Sequence, residues 1–305
     1  MIRPDIPGQD TPGQGALGPA ISHEISHIPM RSLSLRLARS TIKMRHDTAW
    51  RIDKVNPVHD LIVCLTGSGV YQIGDEREPT TIAPGDAVLV PAYTRFRGCS
   101  GGGGLFTGIA QHFTLELFGR GDLISQMSLR RSIRLPNWPV LLPLVRQYRE
   151  VSPTGSTTLA QHHQLMVILL AFLEGAFAGW KTEADEMPSR DHLSVEIVRV
   201  ATRLSADPLG SGVEEALRGV PYNPDYFRRA FRDRIGHTPR KFREMKRMEF
   251  AASRLGMGMS VNAVAAELGF ADPYFFSRMF KRYLGASPSS YKGRAERRAA
   301  GPRAG

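Results

Sequence analysis

The sequence predicts an α+β multidomain chain: an N-terminal β-barrel with accompanying helices, then an all-α C-terminal domain built from two helix-turn-helix units. Three observations carry this prediction. Short apolar runs punctuated by Gly and Pro fill residues 29–135, the apolar spacing becomes helical from about residue 140, and residues 210–291 contain an internal repeat. A length of 305 residues leaves room for two domains with cores of their own.

Residues 1–28 are rich in Gly, Pro and Gln with few large apolar groups, a composition expected to stay disordered. Leu61 to Leu65 reads as a buried strand, with a turn at Thr66, Gly67, Ser68 and Gly69 before a second strand at Val70 to Ile73. Thr80, Thr81 and Ile82 lead into Pro84 and Gly85, the order a type II turn requires, and then into Ala87 to Val90. Gly101 to Gly104 form a loop ahead of a strand at 105–113. Many short strands at close spacing indicate a small barrel or sandwich.

Residues 136–180 form a helical region, with helical spacing over 140–150 and over 159–180; Leu165, Ile168, Leu169, Phe172 and Leu173 mark the apolar face of the second stretch. That stretch is the candidate dimer interface, with packing beneath the barrel of its own chain as the alternative. Polar residues around Pro188 make 181–191 a linker, 192–293 a helical domain and 294–305 a basic tail. In the tail, Arg294, Arg297, Arg298 and Arg303 suit nonspecific electrostatic contact.

The formal net charge is +11, and it is unevenly spread. From Ser189 onward there are 22 Lys and Arg against 12 Asp and Glu, whereas the first 188 residues hold 18 against 17. A neutral first part joined to a basic last third points the latter at a polyanion: DNA, RNA or acidic lipid. Two cysteines, Cys64 and Cys99, build neither a disulfide framework nor a Cys-rich zinc site, which fits a reducing compartment. The start lacks the apolar stretch of a signal peptide, and the most apolar segment, 165–180, contains Glu174 and is shorter than the roughly 20 residues a membrane span needs. A cytoplasmic location with no membrane partner is the expectation.

In the second copy of the repeat, Ser260 caps a helix with apolar positions Val261, Val264, Ala265 and Leu268; Gly269 ends it, and Asp272 with Pro273 start the next. The first copy places Val213, Ala216, Leu217 and Val220 each 48 positions earlier, then Asn223 and Pro224. Phe227, Arg229, Phe231, Gly236 and Pro239 precede Phe276, Arg278, Phe280, Gly285 and Pro288 by 49. A tight turn between two helices, the second exposing Arg beside inward aromatics, is a helix-turn-helix pattern. Between the copies, Thr238 and Pro239 open a helix to Leu255, roughly 25 Å long at 1.5 Å per residue. A strut of that length holds two recognition helices near one DNA turn apart, about 34 Å.

The run from Ala265 through Leu268, Gly269, Phe270, Asp272, Pro273, Phe276, Arg278, Phe280, Gly285 and Pro288 to Tyr291 resembles the C-terminal signature of the AraC/XylS family of bacterial transcription regulators. The N-terminal part is similar, more loosely, to that family's cupin-like sensor domains through His59, Asp60, Gly67, Gly69, Pro84, Gly85 and Asp86. The resemblance implies a sensing and dimerising N-terminal domain and a pair of DNA-reading units, often in an activator. Carried over by position, it points Asp225, Arg228 and Arg229 of the first unit, and Tyr274, Ser277, Arg278 and Lys281 of the second, towards DNA. Arg grips guanine bidentately or binds phosphate, and each arginine has both roles open, or braces the fold through a carboxylate. The first unit departs from the pattern, with Pro221 in its turn, Gly219 two residues earlier and Gly212 at the N-cap.

The implied effector is a small molecule, by family resemblance a sugar, while the residues leave an aromatic acid or a peptide equally open. His59, Tyr71, Tyr93, Arg95 and His112 are the candidate lining of a site in the barrel, each with a structural role as the alternative. The rival functions are a cupin-type metalloenzyme and a nonspecific architectural DNA binder. No paired His motif, phosphate loop or nucleophile elbow supports an enzyme, so no catalytic residue, metal or cofactor is expected. The expected partners are double-stranded DNA, the effector, a second copy of the chain as homodimer, and RNA polymerase.

Overall fold

The computed structural model describes residues 25–153, 157–181, 192–210 and 212–292. The expected linker after Lys181, the basic tail and residues 1–24 lie outside these. The N-terminal part is β-rich and the C-terminal part helical.

The larger of the two main antiparallel sheets runs in the order β1 (Leu33–Leu37), β9 (Phe106–Leu117), β4 (His59–Thr66), β7 (Asp86–Val90), β12 (Ser132–Arg134). Both β2 (Ile42–His46) and β10 (Gly121–Asp122) also pair with the long β9. The smaller sheet orders β3 (Arg51–Val55), β8 (Arg95–Ser100), β5 (Gly69–Ile73), β6 (Thr80–Ile82). Strand alternation sorts β4 between two cores. Ile62 and Cys64 point between the sheets with Tyr71, Ile73, Phe96 and Phe106, while Leu61 and Val63 point to the helices. Burial on both faces is why this strand is apolar throughout. The expected type II turn is present: Gly85 has φ +96°, which a side chain would resist, and the Asp86 N–H donates to the Ala83 carbonyl at 2.9 Å.

Two helices, α1 (Trp138–Val151) and α2 (Leu159–Ala176), cover the outer face of the larger sheet. Thr158 and Gln161 form a capping box at the start of α2. Leu165, Ile168, Leu169, Phe172 and Leu173 are fully buried against Leu61, Val63, Ile109 and Phe113. The face read as a candidate dimer surface is therefore spent on the barrel of its own chain. Nor does this helix extend to residue 180. It ends at Ala176, because Phe177–Trp180 turns extended as β13 and pairs with β11 (Met127–Leu129). The last residues of the stretch 1–28, expected to be disordered, are ordered instead: Ile25–His27 form a 3-10 turn, and Ile25 and Ile28 are buried in the helix-covered core.

Residues 192–293 do not separate cleanly from what precedes them. Along α3 (His192–Ala206), Val195 and Val198 join the core under the barrel, whereas Ile197, Val200, Ala201 and Leu204 join the core of the first repeat. That first unit comprises α4 (Val213–Ala216) and α5 (Pro224–Ile235), and the second α7 (Val261–Glu267) and α8 (Pro273–Leu284). Between them α6 (Pro239–Gly256) spans 18 residues, giving Phe242 to one core and Met248, Ala251, Ala252 and Leu255 to the other. The caps form as their spacing predicts. Asn223 accepts from the N–H groups of Asp225 and Tyr226, Asp272 from those of Tyr274 and Phe275, and Ser260 from that of Ala263. Gly236 and Gly285 close α5 and α8 at φ +87° and +76°. Only α4 falls short, at a single turn. Gly212 supplies no side-chain cap, and Gly219 turns the chain at φ +79° two residues before Pro221.

Candidate nucleic-acid interface

In both units the aromatic pair spaced i, i+4 faces inward and fixes what faces out. Phe227, Phe231, Phe276 and Phe280 are buried, with ring centroids 6.2 Å apart in the first pair and 5.7 Å in the second. Asp225, Arg228 and Arg229 are consequently exposed along α5, and Tyr274, Arg278 and Lys281 along α8; Ser277 is half-buried. Arg228 reaches Asp225 at 3.2 Å, and the Arg229 Nε donates to the Asp225 carbonyl at 3.4 Å. Arg278 lies 5.7 Å from the Phe275 ring centroid, clear of any carboxylate among the described residues. The two helices therefore present guanidinium groups differently. In α5 one of them is shared with a carboxylate on the same face, and in α8 Arg278 is braced by an aromatic ring and left open to a ligand.

Several other basic residues of this region serve the fold. Arg247 donates to the Leu268 carbonyl and covers the Phe270 ring, and Arg254 pairs with Glu267 at 2.8 Å, together tying α6 to α7. Arg243 donates to the Gly210 carbonyl at 2.8 Å, and Arg199 pairs with Glu196 at 2.7 Å. Counting charge along the sequence overstates what is available to a polyanion. Reading the repeat also passed over the exposed aromatics Tyr226 and Phe275, which sit at matching positions 49 apart. An aromatic at this position in both copies was the available signal.

The five barrel candidates do not converge. Tyr71 and His112 point between the sheets, each nine-tenths buried or more. His59, on the opposite face of β4, accepts from the Ala92 N–H at Nδ1 (2.9 Å) and contacts Asp122 through Nε2 at 2.8 Å. With Nδ1 accepting, Nε2 carries the proton, and the ring clamps the loop after β7 to the start of the turn at Ile124–Gln126. Arg95 lies on the solvent face of the smaller sheet, where it grips Asp53 through two bonds of 2.8 Å and holds that carboxyl below its usual range. Tyr93 is 78% exposed at φ +59°.

Around Tyr71 and His112 the structure gathers three residues outside the candidate lining, Asp60, Asn56 and Lys54. His112 Nε2 lies 3.2 Å from Asp60, 3.2 Å from Asn56 and 3.4 Å from Lys54, whose ammonium also sits 3.7 Å from Asp60 and 5.0 Å from the Phe96 ring. Asp60 Oδ1 and the Tyr71 hydroxyl are buried without a protein partner. Burial first, and then the Asp60 carboxylate, push the Tyr71 phenol well above its usual range. The signal was strand parity: Asp60 stands two residues before Ile62 and so on the inward face. Among the described residues, no group of three or more His, Cys, Asp or Glu is placed to hold a metal ion, and no helix is long and apolar enough to cross a membrane.

Comparison with known proteins bears on the helical region. Residues 218–294 match a family model described as a helix-turn-helix domain. The chain is 31% identical over 103 residues to the transcriptional regulatory protein YesN of Bacillus subtilis, covering 32% of this chain and 28% of that protein. It is 38% identical over 68 residues to the raffinose operon transcriptional regulatory protein RafR of Pediococcus pentosaceus, covering 22% of this chain and 24% of that one. The chain thus spans under a third of either curated relative. Among solved structures, a probable AraC family regulator from Rhodopseudomonas palustris is similar at 23% identity over 33% of this chain and 97% of that one, with a TM-score of 0.31. Sequence, caps and family match agree: the C-terminal region of this chain carries a helix-turn-helix domain.

Proposed function

We propose that the whole chain is a sequence-specific transcriptional regulator that binds double-stranded DNA through α5 and α8 and takes a small-molecule effector in its barrel. One observation carries the reading. Two recognition helices with matched caps and matched inward aromatics expose Arg229 and Arg278 at equivalent positions, joined by an 18-residue helix that shares its residues with both cores. That helix, about 27 Å long, suits the separation of successive major grooves on one face of a duplex. A nonspecific architectural binder has no need of such matching.

The effector site is the interior cluster of Asp60, Tyr71 and His112 with Lys54 and Asn56. An unpaired carboxylate oxygen beside an unpaired phenol calls for a ligand that both donates and accepts, which a hydroxyl of a sugar does. Regulation proceeds by a population shift between two arrangements of the DNA-reading units, in a cytoplasmic homodimer that acts with RNA polymerase. For the second copy, the half of α2 turned away from the sheet remains, with Leu159 and Val167 exposed.

Selection of bound duplexes from random DNA, followed by footprinting, tests the reading. The expected result is an enriched sequence protected at two sites about one turn apart and bound about 10³-fold or more tightly than random duplex. Equal affinity for all duplexes would overturn it in favour of an architectural role.

A further inference from the structure

The turn between β9 and β10 leaves the sheet and meets the first helix-turn-helix unit. Phe118 and Gly119 at its tip have φ +52° and +66°, and the Phe118 ring packs against both the core under the barrel and the core of the first unit. Two backbone bonds hold the turn, from the Phe118 N–H to the Ser32 carbonyl at 2.6 Å and from the Arg120 N–H to the Leu117 carbonyl at 3.1 Å. Arg120 is exposed, and it lines a cavity of about 490 Å³ together with Leu193 of α3 and Tyr226, Arg229, Asp233 and Arg234 of α5.

Within that cavity Arg120 makes no ion pair among the described residues, and the Arg229 guanidinium donates to the Asp225 backbone carbonyl. Asp233 stands 3.7 Å from Arg232 instead. Arg120 and Arg229 thus share the cavity with no ion pair to either among the described residues, and two like charges brought together are unfavourable unless a polyanion follows. A helix lying in a major groove turns its flanks to the phosphate backbones, and Tyr226 and Asp233 mark one flank of α5. Resting on the DNA-binding reading above, we infer that Arg120, although carried by the barrel, is a DNA phosphate contact that extends the interface of α5. The fixed turn presents the side chain with its backbone already ordered, so less freedom is lost on binding. The position of the barrel then tunes DNA affinity directly.

The test uses the full chain and the duplex enriched by selection, with affinity measured over a range of salt concentrations for the unsubstituted protein, Arg120→Ala, and Arg77→Ala as a control that removes the same charge from the turn between β5 and β6. Arg120→Ala is expected to weaken binding several-fold, to reduce the slope of log affinity against log salt by about 0.9, and to leave the base preference unaltered, while the control does none of these. A slope for Arg120→Ala equal to that of Arg77→Ala overturns the inference, as does tighter binding, which would make the turn an obstruction. If the unsubstituted chain itself prefers no duplex, the DNA-binding reading fails first and this inference with it.

Discussion

At position 278 a single guanidinium stands over the Phe275 ring with no carboxylate beside it among the described residues, while its counterpart Arg229 leans on the Asp225 carbonyl. Arg278→Ala should therefore cost roughly 1–3 kcal/mol of DNA affinity and relax preference at one base position, read by binding to a panel of single-base variants; uniform weakening would make it a phosphate contact. Buried single residues make their own predictions. Burial, and then Asp86, push the Cys64 thiol up to about 12, whereas Cys99 is only half-buried. A thiol reagent at pH 8 should modify Cys99 in the folded protein and reach Cys64 only after unfolding. Tyr148 belongs to a closed network: it donates to Gln111 at 2.7 Å, Thr41 donates to the same oxygen at 2.7 Å, and Ser152 donates to Thr41 at 3.0 Å. Burial pushes its phenol up to about 12 from 10.0. A raised pKa means that the folded state holds the proton more tightly. This contribution is intact below pH 10 and is lost as pH rises through about 12. Denaturant titrations over that window should show a steeper loss for the natural protein than for Tyr148→Phe.

Elements in this protein are begun and ended by residues whose local chemistry is nearly sufficient. Asp272 satisfies two backbone N–H groups of α8, at 2.8 and 3.1 Å, and Asn223 does the same for α5 at 3.0 and 3.3 Å. Substituting either by Ala should cost about 1 kcal/mol in unfolding free energy, with the larger loss at Asp272, whose charge also meets the positive helix terminus. The short α4 is the exception that follows the same rule. Its Gly212 cap has no oxygen to offer, and its Glu215–Arg218 pair is exposed, so one turn is all that local interactions sustain.

Across the whole molecule, the two regions are coupled by apolar surface that neither buries alone. Val195 and Val198 face the barrel side from a helix whose other residues serve the first unit, and Phe118 does the reverse from a barrel turn. A fragment beginning at residue 192 should be less stable than the same region in the full chain, and replacing Val195 and Val198 by Ser should improve its solubility. Phe118→Ala should lower the stability of the full chain by about 2 kcal/mol and separate its thermal transitions. Phe118→Gly should lose less than the Ala variant, because φ +52° strains any residue with a Cβ by roughly 1–2 kcal/mol.

The repeat, its caps, the strut helix and five of the strands (β4, β5, β6, β7 and β9) were legible in the residues, because each rests on interactions within a few positions along the chain: an Asn or Asp ahead of Pro, a Gly at a left-handed cap, an i, i+4 pair of Phe. Strand parity was legible too and would have placed Asp60 inside the barrel, but no local signal joins it to Lys54, Asn56, Tyr71 and His112, which come from other strands. The end of α2 at Ala176 was hidden for the same reason, since β13 exists only because β11, some 50 residues earlier, offers it a partner. So was the burial of Ile25 and Ile28 beneath helices far along the chain. Local sequence by itself determined the repeat, the caps that begin and end its helices, and which faces of α5 and α8 look outward. Tertiary structure alone decided what those faces and strands meet, because pairing and burial depend on groups that sequence distance keeps apart and only the folded chain brings together.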